Sequence, residues 1–215
     1  MKKIIFSFFI IVFVYFMSGC VNNNNGNNVF PDDGDKKPIL YLYPEKETNI
    51  NVMIEKPKLL NTTYPKYNKG WNVIVKPNGD MVDKEGKHYY ALYWDEDNNT
   101  KEEYKEGFYV TKEDALDFLE EKLSYIGLND NEKNEFIMYW LPILEKNDKN
   151  IVRFSFTEEL QNKNAIIIEP KPDSMLRVHI NIKKVNKKIN IKEQKLEKFD
   201  RKGYTAVEWG GRIIE

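Results

Sequence analysis

Hydrophobic and polar positions divide the chain into three regimes. Residues 4–17 are uncharged and almost wholly apolar, and Lys2 and Lys3 precede them. Residues 21–37 carry almost nothing to bury, with Asn22 to Asn25, Gly26, Asn27 and Asn28 leading into Pro31, Asp32, Asp33, Gly34 and Asp35. From Pro38 onward the chain is patterned. Ile39, Leu40, Tyr41, Leu42 and Tyr43 are apolar without a break and Pro44 closes them, which predicts a strand buried on both faces. Ile50, Val52 and Ile54 then alternate with polar residues, and further strands are expected at 59–64, 71–75, 81–82, 88–94 and 107–110. Turn chemistry at Pro77, Asn78, Gly79 and Gly86 separates them.

After residue 110 the apolar period changes from two to 3.6. Thr111 and Asp114 have capping-box spacing, Leu116, Leu119, Leu123 and Ile126 form one helical stripe, and Gly127 ends it. Asn129 or Asp130 caps a second helix carrying Phe136, Ile137, Trp140, Ile143 and Leu144, with Pro142 near its end. Strands resume at 151–156, 165–168, 176–182 and 205–209, while 183–202 is charged and weakly patterned. The predicted fold is α+β and mostly β: an antiparallel, sandwich-like meander with an αα-hairpin inserted at 111–147. Residues 38–215 read as a single domain.

The N-terminal run of 14 residues is short of the ~20 needed to span a bilayer, and its charged start and small-residue exit predict a signal peptide over 1–19. Met17, Ser18, Gly19 and Cys20 together resemble the lipobox of bacterial lipoproteins. That resemblance implies that Cys20 becomes the mature N-terminus and attaches to the lipid bilayer through a diacylglyceryl group. Residues 20–37 would then be a disordered tether spanning roughly 20–25 Å root-mean-square. Cys20 is the sole cysteine, so no intrachain disulfide can form. The expected location is extracytoplasmic, anchored to the cell membrane.

Composition narrows the function. The formal charge is -1, and losing Lys2 and Lys3 takes it to -3, so no basic footprint for nucleic acid exists. Aromatic residues are 13% of the chain, enough for a large core without disulfides. Arginine occurs only at 153, 177, 201 and 212.

Catalytic signatures are sparse. The expected mature chain has Ser124, Ser155 and Ser174 with His88 and His179, and none lies in a nucleophile elbow or a zinc-binding spacing. No cofactor is expected. Asp95, Asp97, Asn99, Glu103 and Glu106 fall at positions 1, 3, 5, 9 and 12 of an EF-hand-like loop, but Thr100 stands where glycine is needed. A solvated hairpin loop is the preferred reading there, with calcium as the weaker alternative. Tyr64, Tyr67, Asn68 and Trp71 surround a Pro/Gly loop and are candidate sugar-binding residues, although rings beside a turn also cap cores.

Four segments carry a family resemblance: residues 37–44 (KPILYLYP), 64–71 (YPKYNKGW), 139–142 (YWLP) and 201–211 (RKGYTAVEWGG). Together they resemble an uncharacterised family of bacterial secreted proteins and lipoproteins. The resemblance spans nearly all of the chain past the tether and implies one module, with no activity or ligand attached. The expected function is a non-enzymatic binding or structural module facing a cell-wall polymer or envelope protein. The alternative is a small hydrolase of envelope polymers using two carboxylates, such as Glu208 with Asp95.

Overall fold

The computed structural model describes residues 36–97 and 104–214, all within one compact unit, Pro31–Glu215. The expected signal peptide and Cys20 lie outside the described residues, as do Asn99 and Glu103 of the acidic loop. β1 (Lys36–Tyr43) starts two residues before Pro38, so Lys36 and Lys37, expected in the tether, belong to the sheet. Lys36 already pairs with Gly211 across the sheet, and the Lys37 backbone N–H donates to Asp95 Oδ1 at 2.9 Å.

The strands β2 (Thr48–Ile54), β3 (Leu60–Tyr64), β4 (Trp71–Val75), β5 (Met81–Val82), β6 (His88–Tyr89), β7 (Leu92–Glu96) and β8 (Glu106–Thr111) follow. Then come α1 (Ala115–Ile126), α2 (Asp130–Glu145), β9 (Lys149–Phe156), α3 (Thr157–Lys163), β10 (Ile166–Glu169), β11 (Ser174–Lys184), β12 (Lys192–Glu193) and β13 (Thr205–Ile214). The chain is α+β and mostly β, with antiparallel-rich sheets and a helical pair inserted between neighbouring strands β8 and β9.

Two sheets form. One has the order β12-β8-β9-β11-β13-β1-β7-β3, the other β10-β2-β4-β5-β6. This is more than a meander, because β11 and β13 run parallel from Ser174↔Thr205 to Lys183↔Ile214. The stretch from 185 to 204 is long enough for that crossover. It passes through edge strand β12 and back, bringing Leu196 and Phe199 onto the helical core.

Strand alternation divides the core in two. Ile39, Tyr41, Val152, Phe154, Val178, Ile180, Val207 and Trp209 face α1 and α2, meeting Leu119, Leu123, Phe136 and Trp140. Leu40, Leu42, Leu92, Trp94 and Ala206 face the smaller sheet, meeting Ile50, Val52, Trp71, Val73 and Val75. The unbroken apolar run in β1 is thereby explained: both its faces are inside.

Gly210 and Gly211 allow close approach on both sides of β13. A Cβ on Gly210 would stand 3.0 Å from His179 Nε2 and 3.1 Å from Pro38 Cα, and one on Gly211 would lie 2.8 Å from Trp140 Cζ2. At the second helix the expected cap is complete, since Asn129 Oδ1 accepts from the Glu132 N–H and the Glu132 carboxylate accepts from the Asn129 N–H. At the first it is displaced. Thr111 Oγ1 donates to Asp114 Oδ2 at 2.7 Å, and Asp114 sits at the N-cap without a side-chain bond to the helix.

Candidate functional site

Odd-numbered positions of β9 and β11 and even-numbered positions of β13 place polar side chains on the sheet face opposite the helices. Arg177 and Glu208 are cross-strand partners on the parallel pair, as are His179 and Ser155 on the antiparallel one. Arg177 Nε donates to Glu208 Oε2 at 3.0 Å, and His179 Nε2–H donates to Glu208 Oε1 at 2.6 Å. Arg177 Nη1 also reaches Gln161 Oε1 and the Asn164 carbonyl, at 2.7 and 2.8 Å, fastening α3 to the sheet. Next to them Arg153 forks onto Glu159 at 3.1 and 2.8 Å, and Arg212 Nε donates to Asn181 Oδ1.

Three of the four arginines thus share one buried face, and the fourth, Arg201, pairs with the fully buried Glu132. A planar fork of five donors satisfies several buried acceptors where an ammonium would serve fewer. Burial alone pushes the Glu208 carboxyl up, but the adjacent His179 and Arg177 charges reverse that and hold it below the usual range. Burial likewise raises Glu159, and its bonds to Arg153 and Ser155 override it, bringing the carboxyl down to about 2.

Ser155, His179 and Glu208 stand on adjacent strands of this face in a triad-like row, a juxtaposition the sequence did not signal. Their hydrogen bonds follow a different logic. The Ser155 hydroxyl donates its proton to Glu159 Oε1 and accepts from Arg153 and Asn181. At 1% exposure for Ser155 and 0% for Glu208, the row is a buried clamp. The carboxylates considered for hydrolysis are similarly engaged: Glu208 holds Arg177 and His179, while Asp95 accepts from the Lys37 N–H and the Tyr93 hydroxyl.

The aromatic loop is corrected at its centre. Trp71 is 3% exposed, its indole N–H donates to the Pro65 carbonyl at 2.8 Å, and its ring packs against Trp94. Its ring face is therefore turned into the core. Tyr67 is half-buried with its hydroxyl accepting from the Ile54 N–H and its ring edge-on to Trp71. Tyr64 and Asn68 are exposed. Of the acidic loop, Asp97 accepts from Asn61, and Glu106 lies 3.5 Å from Lys192 on the sheet edge. Among the described residues no group of three His, Cys, Asp or Glu is placed to hold a metal.

An aromatic recess lies elsewhere. Where β1 begins, the bend after β6 and one side of α2 enclose an open pocket of about 370 Å³ lined by Lys37, Tyr90, Glu135, Met138 and Tyr139. Buried Tyr41 backs two of these residues, donating to Glu135 Oε2 at 3.0 Å, with its ring 6.5 Å from Tyr90 and tilted by 36°. Lys37 Nζ lies 4.7 Å above the Tyr139 ring and 5.8 Å from that of Trp209. Burial and the Glu135 carboxylate raise the Tyr41 and Tyr90 hydroxyls, while burial and Asp95 raise Tyr139, so all three are protonated donors at neutral pH. Of the lining residues, Lys37 falls in the KPILYLYP segment and Tyr139 in the YWLP segment.

Comparison with known protein families, curated proteins and solved structures returns no match.

Proposed function

We propose that the protein is a membrane-anchored bacterial envelope lipoprotein whose domain is a non-enzymatic binding module, with the tyrosine pocket as its recognition surface. The observation that carries this reading is the convergence of exposed Tyr90 and Met138 with Lys37, Glu135 and Tyr139 in one open recess. It combines apolar ring surface with a few placed donors and acceptors, the usual make-up of a ligand site. The buried arginine cluster beneath the sheet is the scaffold, since its polar groups are engaged with one another.

Cys20 attaches the chain to lipid, and two acyl chains make that attachment stable. The tether then raises the effective concentration of the domain near the envelope, so modest affinity suffices for engagement.

The reading is tested with the full chain and its Tyr90→Ala/Glu135→Gln variant, both in detergent, sedimented with delipidated cell-wall fragments so that the Cys20 lipid carries neither down. Wild type should co-sediment and the variant should remain in solution at unchanged melting temperature. Equal sedimentation of both would contradict it. For the anchor, Cys20→Ser should accumulate precursor or leave the membrane fraction, and wild-type processing and fractionation of that variant would refute lipidation.

A further inference from the structure

We infer that the tyrosine pocket takes an uncharged saccharide, a pyranose chain bearing hydroxyl and amide groups; this rests on the binding-module reading above and names its ligand class. The pocket's surface is the first reason. Tyr90 is 59% exposed and Met138 70% exposed, and the ring of buried Tyr41 lies behind Tyr90, 6.5 Å away between centroids. Rings of this kind present an apolar face with a polar tip, which suits a ligand whose C–H faces alternate with hydroxyls.

The pocket's charges are the second reason. Lys37 and Glu135 line the same recess, so it presents one ammonium and one carboxylate. An anion would meet the Glu135 carboxylate, and a cation would compete with the Lys37 ammonium already over the Tyr139 ring at 4.7 Å. An uncharged ligand meets neither obstacle. It finds Glu135 as an acceptor for hydroxyls, Lys37 as a donor, and phenols whose protons remain in place. Exchanging bonds to water for bonds of this kind fixes orientation, while the rings supply most of the attraction.

Position is the third reason and narrows the source. Lys37 is both a wall of the pocket and the second residue of β1, 17 residues beyond Cys20. A fully extended chain of that length reaches about 60 Å. The saccharide therefore lies close to the membrane surface.

The test is titration calorimetry of the full-length protein with chitotetraose and cellotetraose as uncharged probes, and trigalacturonate and spermine as charged ones. Binding of at least one uncharged probe, in preference to both charged ones, is expected. Tyr90→Ala and Glu135→Gln should each weaken it by about tenfold or more while the melting temperature is held. Absence of binding to both uncharged probes, equal binding by Tyr90→Ala, or preference for a charged probe would each overturn the inference. If neither uncharged probe binds but envelope sedimentation still depends on Tyr90 and Glu135, the saccharide is wrong and the binding module stands.

Discussion

Arg177 and Glu208 face each other across the parallel strands β11 and β13 at 3.0 Å, with side chains 4% and 0% exposed. Such a pair adds little over an apolar substitute, yet breaking it leaves a charge stranded in the interior. Glu208→Gln should therefore destabilise the fold by about 3–5 kcal/mol, read from urea unfolding. A loss within experimental error would show that the cluster is not a structural clamp.

Arg177→Lys keeps the charge but loses the fork that joins Glu208, Gln161 and the Asn164 carbonyl. A loss of about 2–3 kcal/mol is expected by the same measurement. Stability equal to wild type would mean that charge alone suffices.

Acid should weaken the domain in a defined window. The folded-state values of Glu208 and Glu159 are both depressed, Glu159 to about 2 from an ordinary 4.5. Their contribution is fully present above the unfolded carboxylate value and fades as pH falls toward the folded one. Urea midpoints should decline from about pH 4.5 toward pH 2, and Glu159→Gln should flatten part of that decline. An unchanged slope in the variant would contradict the assignment.

Trp71→Ala should cost about 3–5 kcal/mol, because it empties a site under Trp94 and removes the bond to Pro65. Thermal unfolding checks this; a variant as stable as wild type would return Trp71 to the surface.

The sequence told more about elements than about what they surround. Alternation in β2, β4 and β11 and the period change after Val110 were legible because each face of these elements has one environment. The seven-residue α3 was not, since it carries a single buried residue, Leu160, and is held by Arg177 through Gln161 and by the Asn164 carbonyl beyond its end. Nor was β12, whose Lys192 and Glu193 are exposed. There, buried Gln194 bonds both the N–H and the carbonyl of Phe154, substituting for a strand partner.

The pocket was harder to read for a similar reason. Lys37, Tyr90 and Tyr139 are far apart in the chain, and the aromatic loop at 64–71 advertised rings that the fold mostly buries. The signal that was available was Tyr139 of the YWLP segment, a half-buried tyrosine next to the fully buried Trp140.

Side-by-side measurement of Tyr90→Ala and Glu208→Gln, each scored for envelope binding and for unfolding free energy, tests the division between pocket and scaffold most directly. Tyr90→Ala should lose binding at wild-type stability, and Glu208→Gln should lose stability while its folded fraction still binds. The opposite pattern, with Tyr90→Ala binding normally and folded Glu208→Gln failing to bind, would place the function at the buried cluster instead.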